Sequence, residues 1–175
     1  MDSYFLIGAV PLAVLGAASD VRTKKIPNWL TYSGLFTALL FRLALAGWAG
    51  LGRGVAAVLV AGGIFFLLFL LGGMGGGDVK LMASVAAWAG SGEVKAVLIA
   101  AAIAGGALAV LYVVAGKRIW RTLLNVFELT RHHVSSGLRP HPSLNVREGN
   151  ATRVPYGLAI AMGTLFCVAN IFWWR

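Results

Sequence analysis

Acidic residues are scarce in this sequence: six Asp and Glu stand against 15 Lys and Arg, and charged residues of both signs make up only 12% of the 175-residue chain. Soluble domains carry about 25% charged residues. That deficit, with 59% hydrophobic residues and a mean hydropathy of +0.81, excludes an ordinary water-soluble domain. Cysteine is nearly absent. The single thiol, Cys167, excludes an internal disulfide and a Cys-based zinc site. No internal repeat and no second domain are visible, so the chain reads as one membrane-embedded unit over 1–175.

Glycine is plentiful, and it clusters in "GGMGGGDVKLMA", residues 72–83. A phosphate cradle is the first reading to test. The Gly-Lys-Ser/Thr that closes a P-loop is missing, because Gly77 is followed by Asp78, Val79 and Lys80, and the third glycine of a dinucleotide fingerprint is missing too. An anion cradle would not put a carboxylate in its mouth. Gly72/Gly76 and Gly73/Gly77 recur at GxxxG spacing, which reads as close helix packing.

Uncharged stretches run over Ser3–Ser19, Ile26–Phe41, Gly54–Gly77, Leu81–Gly92, Ala96–Gly116 and Val154–Trp174. A spanning helix needs about 20 apolar residues. The second stretch extends to Gly47 if Arg42 snorkels to an interface. The fourth is short, and charge parity decides its status. If it spans, Arg22, Lys24, Lys25, Lys80, Lys117, Arg118, Arg121, Arg131, Arg139, Arg147 and Arg153 share one side. The positive-inside rule then predicts an all-α polytopic protein with about six transmembrane helices, both termini outside and the basic loops cytoplasmic. Tilt, bilayer thinning or shelter among neighbours would let the short helix fit. The first stretch lacks a positive leading region, so it reads as a retained helix and not a secretory signal.

The formal net charge of +9 is absorbed by this orientation and by anionic lipid headgroups, so no nucleic-acid partner is inferred. Outer loops are expected near Gly47–Arg53 and Gly90–Lys95. On the cytoplasmic side, segment 117–153 opens with an amphipathic stretch carrying Leu123, Leu124, Phe127 and Val134 on one face. It continues as a polar loop broken by proline and glycine. His132, His133 and His141 lie there with few acids nearby, and a solvated or headgroup-facing loop is favoured over a metal site. Trp29, Trp48, Trp88, Trp120, Trp173 and Trp174 fall near predicted span ends, as an aromatic belt requires.

The few acids sort by position. Glu128 and Glu148 lie among solvated residues and read as surface acids. Asp20 and Asp78 each abut the cytoplasmic end of an apolar span, where a carboxylate is costly and points to function. Two carboxylates at one depth suggest a dyad sharing one proton, with one member acting as general base and the other as general acid. Glycines at 75–77 would let a substrate backbone approach Asp78. The structural alternative is that Asp20 caps a segment or pairs with Arg22, while Asp78 pairs with Lys80.

Three motifs carry a resemblance: "SDVRTKKIPN" at 19–28, "GGGDVKL" at 75–81 and "VPYG" at 154–157. Together they resemble the type IV prepilin peptidases, polytopic GxGD aspartyl proteases, and most closely the short branch serving Flp (tight-adherence) pili. The resemblance covers nearly the whole chain. It implies that Asp20 and Asp78 are the catalytic pair. The implied activity is removal of a short basic leader from a prepilin at the cytoplasmic face of the bacterial inner membrane. It also implies site-shaping places for Gly75, Gly77, Lys80, Pro27, Asn28, Pro155, Tyr156 and Gly157, with Pro27 fixing the turn into the second helix. Longer relatives carry paired CxxC motifs and also N-methylate the new terminus. No CxxC exists here, so neither methylation nor a metal or other cofactor is expected.

The expected partners are a prepilin, through its leader and adjoining hydrophobic segment, and the lipid bilayer. Like charges on the leader and the cytoplasmic face mean that local acids or the shared membrane must position the substrate. Competing readings are an inactive scaffold of a pilus or secretion machine and a proton-coupled transporter. Transporter sites lie near the midplane within repeated halves, a pattern this sequence does not show. Proteases of the presenilin type have more helices.

Overall fold

The structure is a computed structural model that describes residues 2–115 and 155–173. Among these every regular element is helical: α1 (Asp2–Phe5), a 3-10 turn (Leu6–Gly8), α2 (Ala9–Thr23), α3 (Asn28–Leu70), α4 (Gly76–Ala115) and α5 (Tyr156–Trp173). The expected amphipathic stretch and polar loop at 117–153 lie outside the described residues, with Glu128, Glu148, the three histidines, Trp120 and Trp174.

Four helices are long and apolar enough to cross a membrane: Leu6–Thr23, Asn28–Leu70, Gly76–Ala115 and Tyr156–Trp173. The expected count of about six is therefore not matched by separate helices. The reason is local. α3 has 43 residues and α4 has 40, and straight helices of that length would run about 60–65 Å, twice the roughly 30 Å of bilayer hydrocarbon. Each contains one residue with non-helical dihedrals, Gly47 (φ 61°, ψ −161°) in α3 and Gly90 (φ 66°, ψ 176°) in α4. This region of backbone space is open essentially to glycine alone.

At both glycines the chain folds back. A methyl group placed on Gly54 would lie 2.8 Å from Arg42 Cδ and 3.1 Å from Leu39 Cδ2, whereas residues 39 and 54 of a straight helix are about 22 Å apart. In α4 the residues before the break pack antiparallel to the N-terminal helix, with Leu81 against Gly16 and Trp88 against Gly8. Those after it pack antiparallel to α5, with Ala101 against Gly163 and Gly105 against Tyr156. The expected outer loops have thus shrunk to single-glycine reversals.

The short fourth stretch is sheltered, one of the three routes open to it. Leu81, Met82, Ser84, Val85, Ala86, Ala87, Trp88 and Ala89 are all buried. Small side chains let neighbours approach closely. Large apolar side chains such as Phe36, Leu45, Leu59, Ile103 and Phe166 instead point outward, as a lipid-facing surface requires.

Three local expectations are corrected. Arg42 does not snorkel. It is fully buried, and its Nε and Nη2 donate to the carbonyls of Ala87 (2.6 Å) and Trp88 (2.7 Å), with the guanidinium 4.8 Å from the centre of the Phe5 ring. The break at Gly90 strips these last-turn carbonyls of helical partners, and Arg42 supplies replacements. Trp88 leaves the aromatic belt and is buried against Gly8 and 5.8 Å from Phe41, ring centre to ring centre; Trp29, Trp48 and Trp173 remain exposed. The paired glycines do not form one packing stripe, because Gly72 (φ 77°) and Gly73 sit in the turn between α3 and α4.

Candidate active site

Four chain ends converge at the end of the bundle opposite Gly47 and Gly90: the end of α2 and the starts of α3, α4 and α5. A cavity of about 470 Å³ opens there, lined by Asp20, Lys24, Lys25, Ile26, Pro27, Asn28, Gly77 and Asp78. The two carboxylates that the sequence singled out therefore share one cavity, although 58 residues separate them. Their side chains are only 6% and 7% exposed.

Asp20 lies in the last turn of α2, which is tied down closely. Lys24 takes a left-handed conformation (φ 54°) and its N–H donates to the Asp20 carbonyl at 2.8 Å, a common helix ending. The hydroxyls of Ser19 and Thr23 both donate to the Lys25 carbonyl, at 2.7 and 3.1 Å. Pro27, extended at φ −63° and ψ 136°, then turns the chain into α3. Ile26 is buried and would meet a methyl group on Gly77 at 3.3 Å.

The Asp20 carboxylate takes its hydrogen bond from far along the chain. Oδ2 accepts from the Gly157 N–H at 2.9 Å, at the N-terminus of α5, where unpaired N–H groups and the helix dipole favour an anion. A methyl group on Gly157 would stand 2.9 Å from Asp20 Cβ and 3.0 Å from Oδ2, so the approach requires glycine. Pro155 accepts from the Leu158 N–H at 3.1 Å and opens α5, while Tyr156 packs against Gly105.

Asp78 lies in the first turn of α4. Its Oδ2 accepts from the Gly75 N–H at 3.0 Å, and its own N–H donates to the Gly75 carbonyl at 3.2 Å. The side-chain bond from the third helical residue back to the cap N–H is the carboxylate half of a capping box, while the Asp78 N–H is satisfied by the Gly75 carbonyl because glycine has no side chain to accept it. Lys80 reaches away, donating from Nζ to Asn28 Oδ1 at 2.9 Å, and stands 5.2 Å from the centre of the Tyr32 ring.

Of the residues named from the sequence, Asp20, Asp78, Pro27, Asn28 and Gly77 line the cavity. Gly75 and Gly157 hold the two carboxylates through backbone N–H groups, and Lys80 holds Asn28. Pro155 and Tyr156 shape the start of α5 without lining the cavity. The Gly157 contact with Asp20 and the places of Lys24 and Lys25 in the cavity wall go beyond the sequence expectations. For the two lysines the signal is present in the sequence, since both follow Asp20 within five residues.

Two carboxylates bordering one cavity can move a proton to and from water at a peptide carbonyl. Among the described residues no group of three His, Cys, Asp or Glu could hold a metal ion. The model of the type IV leader peptidase family matches residues 7–110, which carry both aspartates. No curated protein and no solved structure gives a significant match.

Proposed function

This chain belongs to the type IV leader peptidase family, and we propose that it cleaves the leader from a type IV, Flp-type prepilin at the cytoplasmic face of the bacterial inner membrane. Asp20 and Asp78 act as the aspartyl pair. The observation that carries this reading is their meeting, buried, at one cavity built from α2 and α4. The ionised carboxylate takes a proton from water as the water oxygen bonds to the scissile carbonyl carbon. The protonated carboxylic acid polarises the carbonyl oxygen. Return of a proton to the amide nitrogen then lets the C–N bond break, leaving a new carboxyl and a new amine. The product amine stays unmethylated, because the chain lacks the paired CxxC motifs of the longer relatives.

The test is mass spectrometry of a prepilin precursor incubated with the purified protein in detergent, beside the Asp20→Asn and Asp78→Asn variants. A leader-sized mass loss is expected with the wild type alone, and each variant should fall by at least about a thousandfold. Substantial cleavage by either variant would remove the dyad. A folded wild type that leaves every tested precursor intact would favour the inactive scaffold.

A further inference from the structure

Asn28 is the first residue of α3, directly after the N-cap Pro27, and its side chain makes no cap hydrogen bond to the helix. It reaches across to α4 instead. Its Oδ1 accepts from Lys80 Nζ, 52 residues away on α4, and its Nδ2 makes no hydrogen bond among the described residues. Asn28 also lines the cavity that holds Asp20 and Asp78.

The Lys80 contact fixes which way the amide faces. An ammonium has donors and no acceptor, so only the oxygen of the Asn28 amide can face it. The two N–H donors are thereby turned from Lys80. The ammonium itself is steadied by the face of Tyr32 at 5.2 Å, a cation–π contact. Lys80 and Tyr32 thus fix the orientation of an exposed amide, on a residue lining a cavity whose two acidic side chains are acceptors when ionised.

We propose that the Asn28 amide binds a backbone carbonyl of the substrate beside the scissile bond, and that Lys80 is the positioning residue that keeps its N–H donors turned toward that carbonyl. A peptide presents one carbonyl per residue, so this donor reads the extended course of the chain without reading its side chains. This inference rests on the peptidase reading. It adds that the wall from α3 positions the peptide that the dyad cleaves.

The deciding variant is Asn28→Asp. A carboxylate still accepts from Lys80, so the strut between α3 and α4 survives, but the N–H donors are gone. Steady-state cleavage of a prepilin by purified protein in detergent should show KM raised by about tenfold or more, the worth of one good hydrogen bond. kcat should change much less, as for binding shared by ground and transition states. The melting temperature should stay near that of the wild type. Lys80→Met, which frees the amide to rotate, should share the rise in KM, and Lys80→Arg, which keeps a donor-only cation, should recover most of it. Wild-type KM and kcat in Asn28→Asp would overturn the proposal and leave the pair a strut. If Asn28→Asp does not fold, wild-type KM in a folded Lys80→Met has the same consequence. Absence of cleavage by the wild type is a different failure, since it removes the peptidase reading beneath the proposal.

Discussion

The chemistry proposed here depends on two carboxylates, and each is held by a glycine N–H: Asp78 by Gly75 and Asp20 by Gly157. Sequence alone marked both acids, because carboxylates at the ends of apolar runs are costly wherever they are not used. It could not reveal the Gly157 contact. That bond joins residues 137 apart, and no local pattern fixes the register of α5 against α2. The contact makes Gly157→Ala informative, since the added methyl would stand 2.9 Å from Asp20 Cβ and one of the two must move. Activity should fall by tenfold or more, with about 1–3 kcal/mol of stability lost to overpacking. Gly62→Ala is the control. Its methyl would meet Ala83 at an ordinary 3.6 Å, and stability should hold or rise by about 0.5–1 kcal/mol. A Gly157→Ala protein as active as Gly62→Ala would show that the Asp20 contact is dispensable. The dyad makes a second demand at this scale. Cleavage rate should fall on both sides of a pH optimum, as the base gains a proton below it and the acid loses one above it. A flat profile through acid and neutral pH, with chemistry rate-limiting, would count against a shared proton.

Elements were legible by hydropathy and their junctions were not. Apolar run lengths placed the helices, but nothing in them distinguishes a loop of several residues from a reversal at one glycine. Gly47 and Gly90 look like any of the other 21 glycines until their dihedrals are known. Arg42 was misplaced for a related reason. A lone cation in an apolar run ordinarily snorkels to an interface, and only the broken helix at Gly90 creates buried carbonyls that reward it for turning inward. Arg42→Met should therefore expose the function of the contact, leaving the Ala87 and Trp88 carbonyls without it at about 1–3 kcal/mol each. Gly90→Ala should be as damaging, because its methyl would enter the Arg42 guanidinium on top of backbone strain. Gly47→Ala meets nothing within 4 Å and bears the strain alone, about 1–3 kcal/mol. Thermal unfolding in detergent should rank Gly47→Ala as the mildest of the three. An Arg42→Met protein that melts with the wild type would mean that those carbonyls are satisfied without Arg42.

Taken whole, the molecule has two unlike ends. One gathers the cavity with Asp20, Asp78, Lys24 and Lys25, and Lys80 beside it. The other carries the two glycine reversals. The parity argument from positive charges required the short stretch after Asp78 to cross from one end to the other, and the antiparallel packing of Leu81 on Gly16 and Trp88 on Gly8 takes it there. The excess of basic residues at the cavity end then predicts which side faces the cytoplasm. Single cysteines at Thr23 and Gly52, in a Cys167→Ala background, test this directly. Thr23 is exposed at the cavity end, and Gly52 is exposed near the Gly47 reversal. In intact cells stripped of their outer layers, a membrane-impermeant thiol reagent should label position 52 and spare position 23, and opening the inner face should make 23 reactive. Labelling of 23 alone from outside would invert the protein and put the cavity on the wrong side for a precursor that has not yet left the cytoplasm. Labelling of both from outside would mean that the first half of α3 does not cross, and the charge-parity argument for the whole topology would fall with it.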